Sequence, residues 1–323
     1  MKRWDEVFNV DVDDCETMEI KGKSIKIPPP EKIPHENLVM REDIIEKALA
    51  AWMKLNRLPP MNFRLYGPPG GGKNSIVYLL TKLLNKSLYI MKVVDAFNPE
   101  EDVACTMVMY NGTPVYVAQP LLAAMIKGQV CLFDELDKTP EAALVPLSPV
   151  LDDRRTLYST LFGNRFKAHE DFLFCAALSE EAEEGNTLPE YIRQRTSPAI
   201  YVGPPDPQTL ERMLKSRLPE ADDVWFQVFL RGFSQKELVP RVSLNLLSYA
   251  FRLFREAEKQ KKVNGKVTEN VVNRFLLMAQ ASKRKEEEKE RYEKKEGERT
   301  KEVKNVAVPS IYQDIPQGKE TFH

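Results

Sequence analysis

The sequence predicts an α/β fold, a parallel sheet sandwiched between helices, followed by a small all-helical domain. Three observations predict it. Short apolar runs alternate with helix-period stretches between residues 37 and 205, the pattern of a parallel sheet buried on both faces. A glycine-rich turn joins the first of these runs to the helix behind it. After "PPDP" at 204–207, apolar residues recur only at helical spacing.

The elements follow in order. Residues 1–36 are mixed and polar and close on "IPPPEKIP", a stiff proline-rich approach, so they read as an N-terminal extension. Residues 39–56 carry apolar side chains at helical spacing. Asn62–Tyr66 reads as a strand, Ser75–Leu84 as an amphipathic helix, and Leu88–Val93 and Gln129–Phe133 as two further strands. Asp171–Leu178 and Ala199–Gly203 complete the set. Residues 37–205 therefore form one αβα domain, and 206–281, with four amphipathic segments, a helical one. The tail, 282–323, is mostly charge with little to bury. Glu287–Arg291 and Glu290–Lys294 are favourable i,i+4 pairs, which suits a solvated helix that gives way to a disordered end.

Composition excludes several classes. The 47 Lys and Arg residues are balanced by 48 Asp and Glu, giving a net charge of -1, which speaks against a nucleic-acid or acidic-membrane partner. Cys15, Cys105, Cys131 and Cys175 lie far apart and form no metal-ligand spacing with His35, His169 and His323, which favours a reduced, cytoplasmic compartment. No apolar run has the length of a membrane span, and the first residues show no signal-peptide pattern.

The chemistry is concentrated at two places. Gly67, Pro68, Pro69, Gly70, Gly71, Gly72 and Lys73 have the spacing of a phosphate-binding loop, with a strand before and a helix after. There the glycines let backbone N–H groups converge on phosphate oxygens, and the helix N-terminus adds partial positive charge. Lys73 is placed to neutralise the β- and γ-phosphates of a nucleotide. Asn74 and Ser75 follow, where a magnesium-binding hydroxyl is expected directly after the lysine. The Asn74 amide oxygen is a hard ligand, whereas Ser75 is turned about 100° away on the helix. The second place is the apolar strand ending in Asp134-Glu135, a Walker B pattern. Asp134 suits the magnesium shell, and Glu135 suits polarising a water. The cofactors expected are ATP and Mg2+.

With the glycine loop, the "DE" strand end and the trailing helices together, the chain resembles an AAA+ ATPase, a P-loop NTPase with an αβα core and an all-α lid. Gly112–Leu157, Ala168–Phe174 and Ile192–Pro205 are similar to the MoxR branch, nearest its CbbQ and NorQ members. The resemblance covers roughly residues 37–281. It implies that Arg193 and Arg195 are arginine fingers reaching a neighbour's γ-phosphate, and that Arg241 is the sensor arginine of the lid. The plainer reading of each is a surface arginine in an ion pair. The resemblance also implies a hexameric homo-oligomeric ring with a chaperone-like role. It further implies a von Willebrand factor A partner and a protein client, often a metal-dependent enzyme. Gly112–Tyr116 matches a hairpin insert facing pore or partner. Leu151–Arg155, "LDDRR", reads either as a solvated turn or as a subunit contact. Where the family pattern has Asn-Pro, with the asparagine orienting the lytic water, this chain has Ser179-Glu180. Asn74 and Ser179 motivate one alternative to the hydrolysing ring, a nucleotide-gated assembly scaffold with little or no hydrolysis; the shared P-loop machinery leaves another, the ATPase of a nucleic-acid-processing or defence complex.

Overall fold

A computed structural model describes residues 11–34, 39, 41–55, 58–68, 71–92, 99–203, 206–219, 223, 224 and 227. Its centre is a five-stranded sheet of β3 (Phe63–Tyr66), β4 (Leu88–Lys92), β7 (Val130–Asp134), β10 (Leu173–Leu178) and β11 (Ala199–Tyr201). The order is β11-β3-β10-β7-β4, and every pairing is parallel. All five strands fall on runs that the sequence pattern predicts.

Alternation along the strands makes the sandwich. Val130 and Leu132 of β7, with Leu173, Cys175 and Ala177 of β10, face α1 (Glu42–Trp52) and α2 (Lys73–Leu83). Their neighbours Cys131, Phe133, Phe174 and Ala176 point the other way, into a core with α4 (Pro120–Lys127); the short α3 is Pro99–Val103. These strands are apolar throughout because both faces are covered. Trp52 donates its indole N–H to the Phe174 carbonyl (3.1 Å), which satisfies the ring's polar atom inside the core.

A second sheet has the order β1-β2-β6-β5 and takes two of its strands from within residues 1–36, the stretch that the sequence pattern reads as an N-terminal extension. The hairpin β1 (Glu16–Ile20) and β2 (Lys23–Ile27) turns on Lys21-Gly22, both at positive φ, and β2 pairs in parallel with β6 (Thr113–Ala118). Ile25 and Ile27 are thereby buried in the core. The expected hairpin at Gly112–Tyr116 is present: β5 (Cys105–Tyr110) and β6 turn on Asn111-Gly112, again both at positive φ. Helices α5 (Glu141–Leu144) and α6 (Ser148–Leu151) lead to a further hairpin, β8 (Thr156–Ser159) with β9 (Asn164–Lys167), that the sequence pattern did not reveal. After β10 come α7 (Glu180–Glu184) and α8 (Glu190–Arg195), and after β11 comes α9 (Pro207–Arg217). The other helices expected for 206–281, with Arg241, and the tail lie outside the described residues, apart from three positions at 223, 224 and 227. All four cysteines are buried and free. No described helix is long and apolar enough to cross a membrane.

Candidate nucleotide-binding site

Parallel α/β sheets bind ligands beyond the carboxyl ends of their strands, at the point where the chain path reverses. That point here is β3. The chain leaves it for the far edge at β4 and returns through β7 and β10 to pass it at β11. The glycine loop grows from this end. Gly67 has φ +149°, and a Cβ there would lie 2.3 Å from the Val202 carbonyl oxygen, so only glycine lets the two backbones approach. Gly72, at φ +92°, turns the chain into α2, which begins at Lys73, two residues earlier than the apolar periodicity predicts. Pro69 and Gly70 lie outside the described residues. The Lys73 Nζ donates to the carbonyls of Gly67 (2.7 Å) and Pro68 (3.1 Å). Burial pushes its pKa down, opposed by Asp134, Asp137, Glu181 and Glu180. The lysine is therefore held over the loop by backbone contacts that an anion could displace.

Asp134 ends β7, and the Asn74 amide Nδ2 donates to its Oδ2 at 3.0 Å. Asn74 thus faces the acid, as expected of the residue after the lysine, but with its nitrogen rather than its oxygen foremost. Ser75 is half-buried one step further round α2. Glu135 adopts left-handed φ (+55°) where the strand breaks into a turn. Its two oxygens are engaged by Lys138 (2.8 Å) and Lys92 (2.8 Å), and these hydrogen bonds hold its carboxyl below the usual range. Ser179, at the end of β10, caps α7 by accepting from the Ala182 N–H, and its hydroxyl donates to Asp137 Oδ2 at 2.8 Å. The other Asp137 oxygen is buried without a hydrogen-bond partner among the described residues.

The arginines stand elsewhere. Asn62, just before β3, donates through its amide to the carbonyls of Leu151 (2.9 Å) and Arg195 (3.2 Å). This fixes the end of α8 near the amino end of β3. The strand separates it from the loop by roughly 15 Å at about 3.3 Å per residue. Arg64 reinforces the frame: it forks onto Glu183 with two 2.7 Å bonds and donates to the carbonyls of Arg193 and Thr196. The Arg195 side chain donates to the Tyr191 carbonyl (2.8 Å) and lies 3.8 Å from Asp152, which also pairs with Arg154. The "LDDRR" turn and the "RQR" helix are thus one unit. Arg193 is 3.7 Å from Glu190, and the Nε atoms of both arginines are buried without a hydrogen-bond partner among the described residues.

The structure therefore brings together Gly67, Gly72, Lys73, Asn74, Asp134, Glu135 and Ser179, and keeps Arg193 and Arg195 apart from them. Sequence reasoning missed Asp137, Lys92, Arg64 and Glu183. Two carried a signal: Arg64 is a charge inside an otherwise apolar run, and Asp137 lies two residues past the "DE" pair.

A glycine loop on the switch-point strand, facing an acidic strand end across an all-parallel sheet, defines a P-loop NTPase of the AAA+ kind. Residues 62–196 match the model of the AAA domain, dynein-related subfamily, a MoxR-like domain. It is similar to protein NorQ of Paracoccus denitrificans, 27% identical over 205 residues that span 62% of this chain and 74% of that protein. It is also similar to the denitrification regulatory protein NirQ of Stutzerimonas stutzeri, 26% identical over 195 residues, 58% of this chain and 70% of that protein. Among solved structures, RuvB of Thermotoga maritima, described as a Holliday junction branch migration motor, matches 76% of this chain and 72% of its own with a TM-score of 0.50 and 14% identity. A variant of RuvB reaches 0.53 at 15% identity, over 76% of this chain and 72% of its own. At such identities the likeness shows the fold alone.

Proposed function

We propose that this chain hydrolyses ATP to ADP and phosphate in a homo-oligomeric ring, hexameric as in the branch it resembles, and uses the cycle to remodel or activate a partner protein. The observation that carries the reading is the convergence of Lys73, Asn74, Asp134 and Glu135 at the carboxyl ends of β3 and β7. Lys73 balances phosphate charge once it leaves the Gly67 and Pro68 carbonyls. Glu135 polarises the attacking water once it leaves Lys92 and Lys138. Arg195 and Arg193, anchored at the other end of β3, serve a neighbouring subunit's γ-phosphate, where a guanidinium stabilises charge developing in transfer. Residues 37–205 act as the core and 206–281 as the lid, with Arg241 as its sensor. Regulatory naming of the similar NirQ proteins supports an activator role. A von Willebrand factor A partner and a metal-dependent client follow from the MoxR resemblance.

Magnesium is the cofactor this class implies, and the donor chemistry fits. Asn74 and Asp134 already touch, and rotating the amide end for end presents its oxygen beside a carboxylate, an all-oxygen pair suited to a hard cation. Those two residues would hold the ion, which when bound neutralises phosphate charge.

The test is steady-state ATP turnover against protein concentration, with Glu135→Gln in parallel. The reading expects turnover per subunit to rise with concentration and Glu135→Gln to bind ATP while turning over about 100-fold more slowly. A wild type that binds ATP but is no faster than Glu135→Gln contradicts it. That result favours the nucleotide-gated scaffold, for which the Asn74–Asp134 contact is the supporting observation.

A further inference from the structure

The Ser179–Asp137 pair has no role in the scheme above. Strand β10 lies between β3 and β7, and Leu178 pairs with Tyr66. Ser179 therefore stands level with Gly67, the first residue of the loop. Its hydroxyl proton goes to Asp137 Oδ2 at 2.8 Å, and one of its lone pairs goes to the Ala182 N–H. Ser179 has no donor left for a water. Asp137 sits in the turn that follows Glu135, its Oδ2 fixed by the serine and its Oδ1 buried without a partner among the described residues. A buried, unpaired carboxylate oxygen is costly to leave unmet. Asp137 is also one of the acidic groups acting on Lys73.

We propose that Asp137, clamped at Oδ2 by Ser179, accepts a hydrogen bond at Oδ1 from the water that attacks the γ-phosphate, and so supplies the orienting contact that Ser179 alone lacks. This rests on the hydrolysing reading. The water's two protons then have two carboxylates: one is held by Asp137, and the other passes to Glu135 as attack proceeds. The water oxygen bonds to the γ-phosphorus, the bond from phosphorus to the β,γ-bridging oxygen breaks, and its electron pair leaves on ADP. Asp137 acts by touching the water. Ser179 is a positioning residue that acts through Asp137.

Turnover at saturating Mg-ATP and equilibrium ATP binding are measured for the wild type, Asp137→Asn, Ser179→Ala and the double variant. Asp137→Asn is expected to lose about 100-fold in turnover with ATP affinity within twofold of wild type. Ser179→Ala is expected to lose only about 10-fold, because Asp137 keeps its carboxylate and loses one bond. The double variant matches Asp137→Asn, since the two act as a unit. Unchanged ATP affinity shows that each variant is folded. If Asp137 merely anchors Ser179 and α7, the two single variants lose equally, which overturns the proposal. Asp137→Asn turnover within threefold of an active wild type overturns it while leaving the hydrolysing reading standing. A wild type that binds ATP without turnover overturns both.

Discussion

The two ends of β3 are built on opposite rules. At the amino end, Asn62 and Arg64 spend their donors on the carbonyls of Leu151, Arg193, Arg195 and Thr196 and on Glu183, whose pair with Arg64 is almost shielded from water (7% and 14% exposed). At the carboxyl end the polar groups are loosely committed. Lys73 rests on two carbonyls, Glu135 on two exposed lysines, and one Asp137 oxygen on nothing described. If the arginine helix serves another subunit's site, as proposed, the frame that holds it must not yield. A site that accepts a polyanion needs contacts weak enough to exchange. Stability is therefore concentrated at the amino end of β3 and exchangeable polar groups at its carboxyl end.

If the amino end serves a neighbour, Arg195→Ala gives the largest effect: turnover falls about 10³- to 10⁵-fold, as for arginine fingers, while ATP affinity measured by equilibrium titration barely moves. If that end is also the frame, Arg64→Ala comes next, with a loss of about 1.5–3 kcal/mol in denaturant unfolding, because the half-buried Glu183 loses its charge-assisted hydrogen bonds. The same pair sets an acid limit. Arg64 lowers the folded-state pKa of Glu183 below its ordinary 4.5, so the stabilisation is complete above that pH and is lost as pH falls through the depressed value. Arg64→Ala should flatten this acid-side loss in a series of unfolding curves. At the exchangeable end, Lys73→Ala should weaken ATP binding about 10- to 100-fold, the worth of a charged hydrogen-bonding group, with little change in unfolding midpoint. The smallest effect is Lys92→Ala: its ion pair with Glu135 is exposed (54% and 37%), so stability should change by less than about 1 kcal/mol. A large loss there would blur the contrast between the ends.

Much of this was legible in the sequence where a local pattern carries the information. The sheet announces itself through continuous apolar runs, and the loop through glycine spacing between strand and helix. The second sheet was hidden because β2, "KSIKI", buries only Ile25 and Ile27 and pairs with β6, about 90 residues away, which no local pattern encodes. The Ser179–Asp137 contact spans 42 residues and the Arg64–Glu183 fork 119, so each exists only once the strands have set their register. Asn74 was legible as a departure from the expected hydroxyl, while its contact with Asp134 came from geometry.

In the proposed ring, a working site takes its loop from one copy of the chain and its arginine from another. The direct test mixes Lys73→Ala, which keeps the arginine helix, with Arg195→Ala, which keeps the loop. Each alone should be nearly inactive. The mixture is expected to regain turnover well above the sum of the two, because some interfaces then pair an intact loop with an intact arginine. A mixture no faster than that sum, in preparations shown to co-assemble, contradicts it.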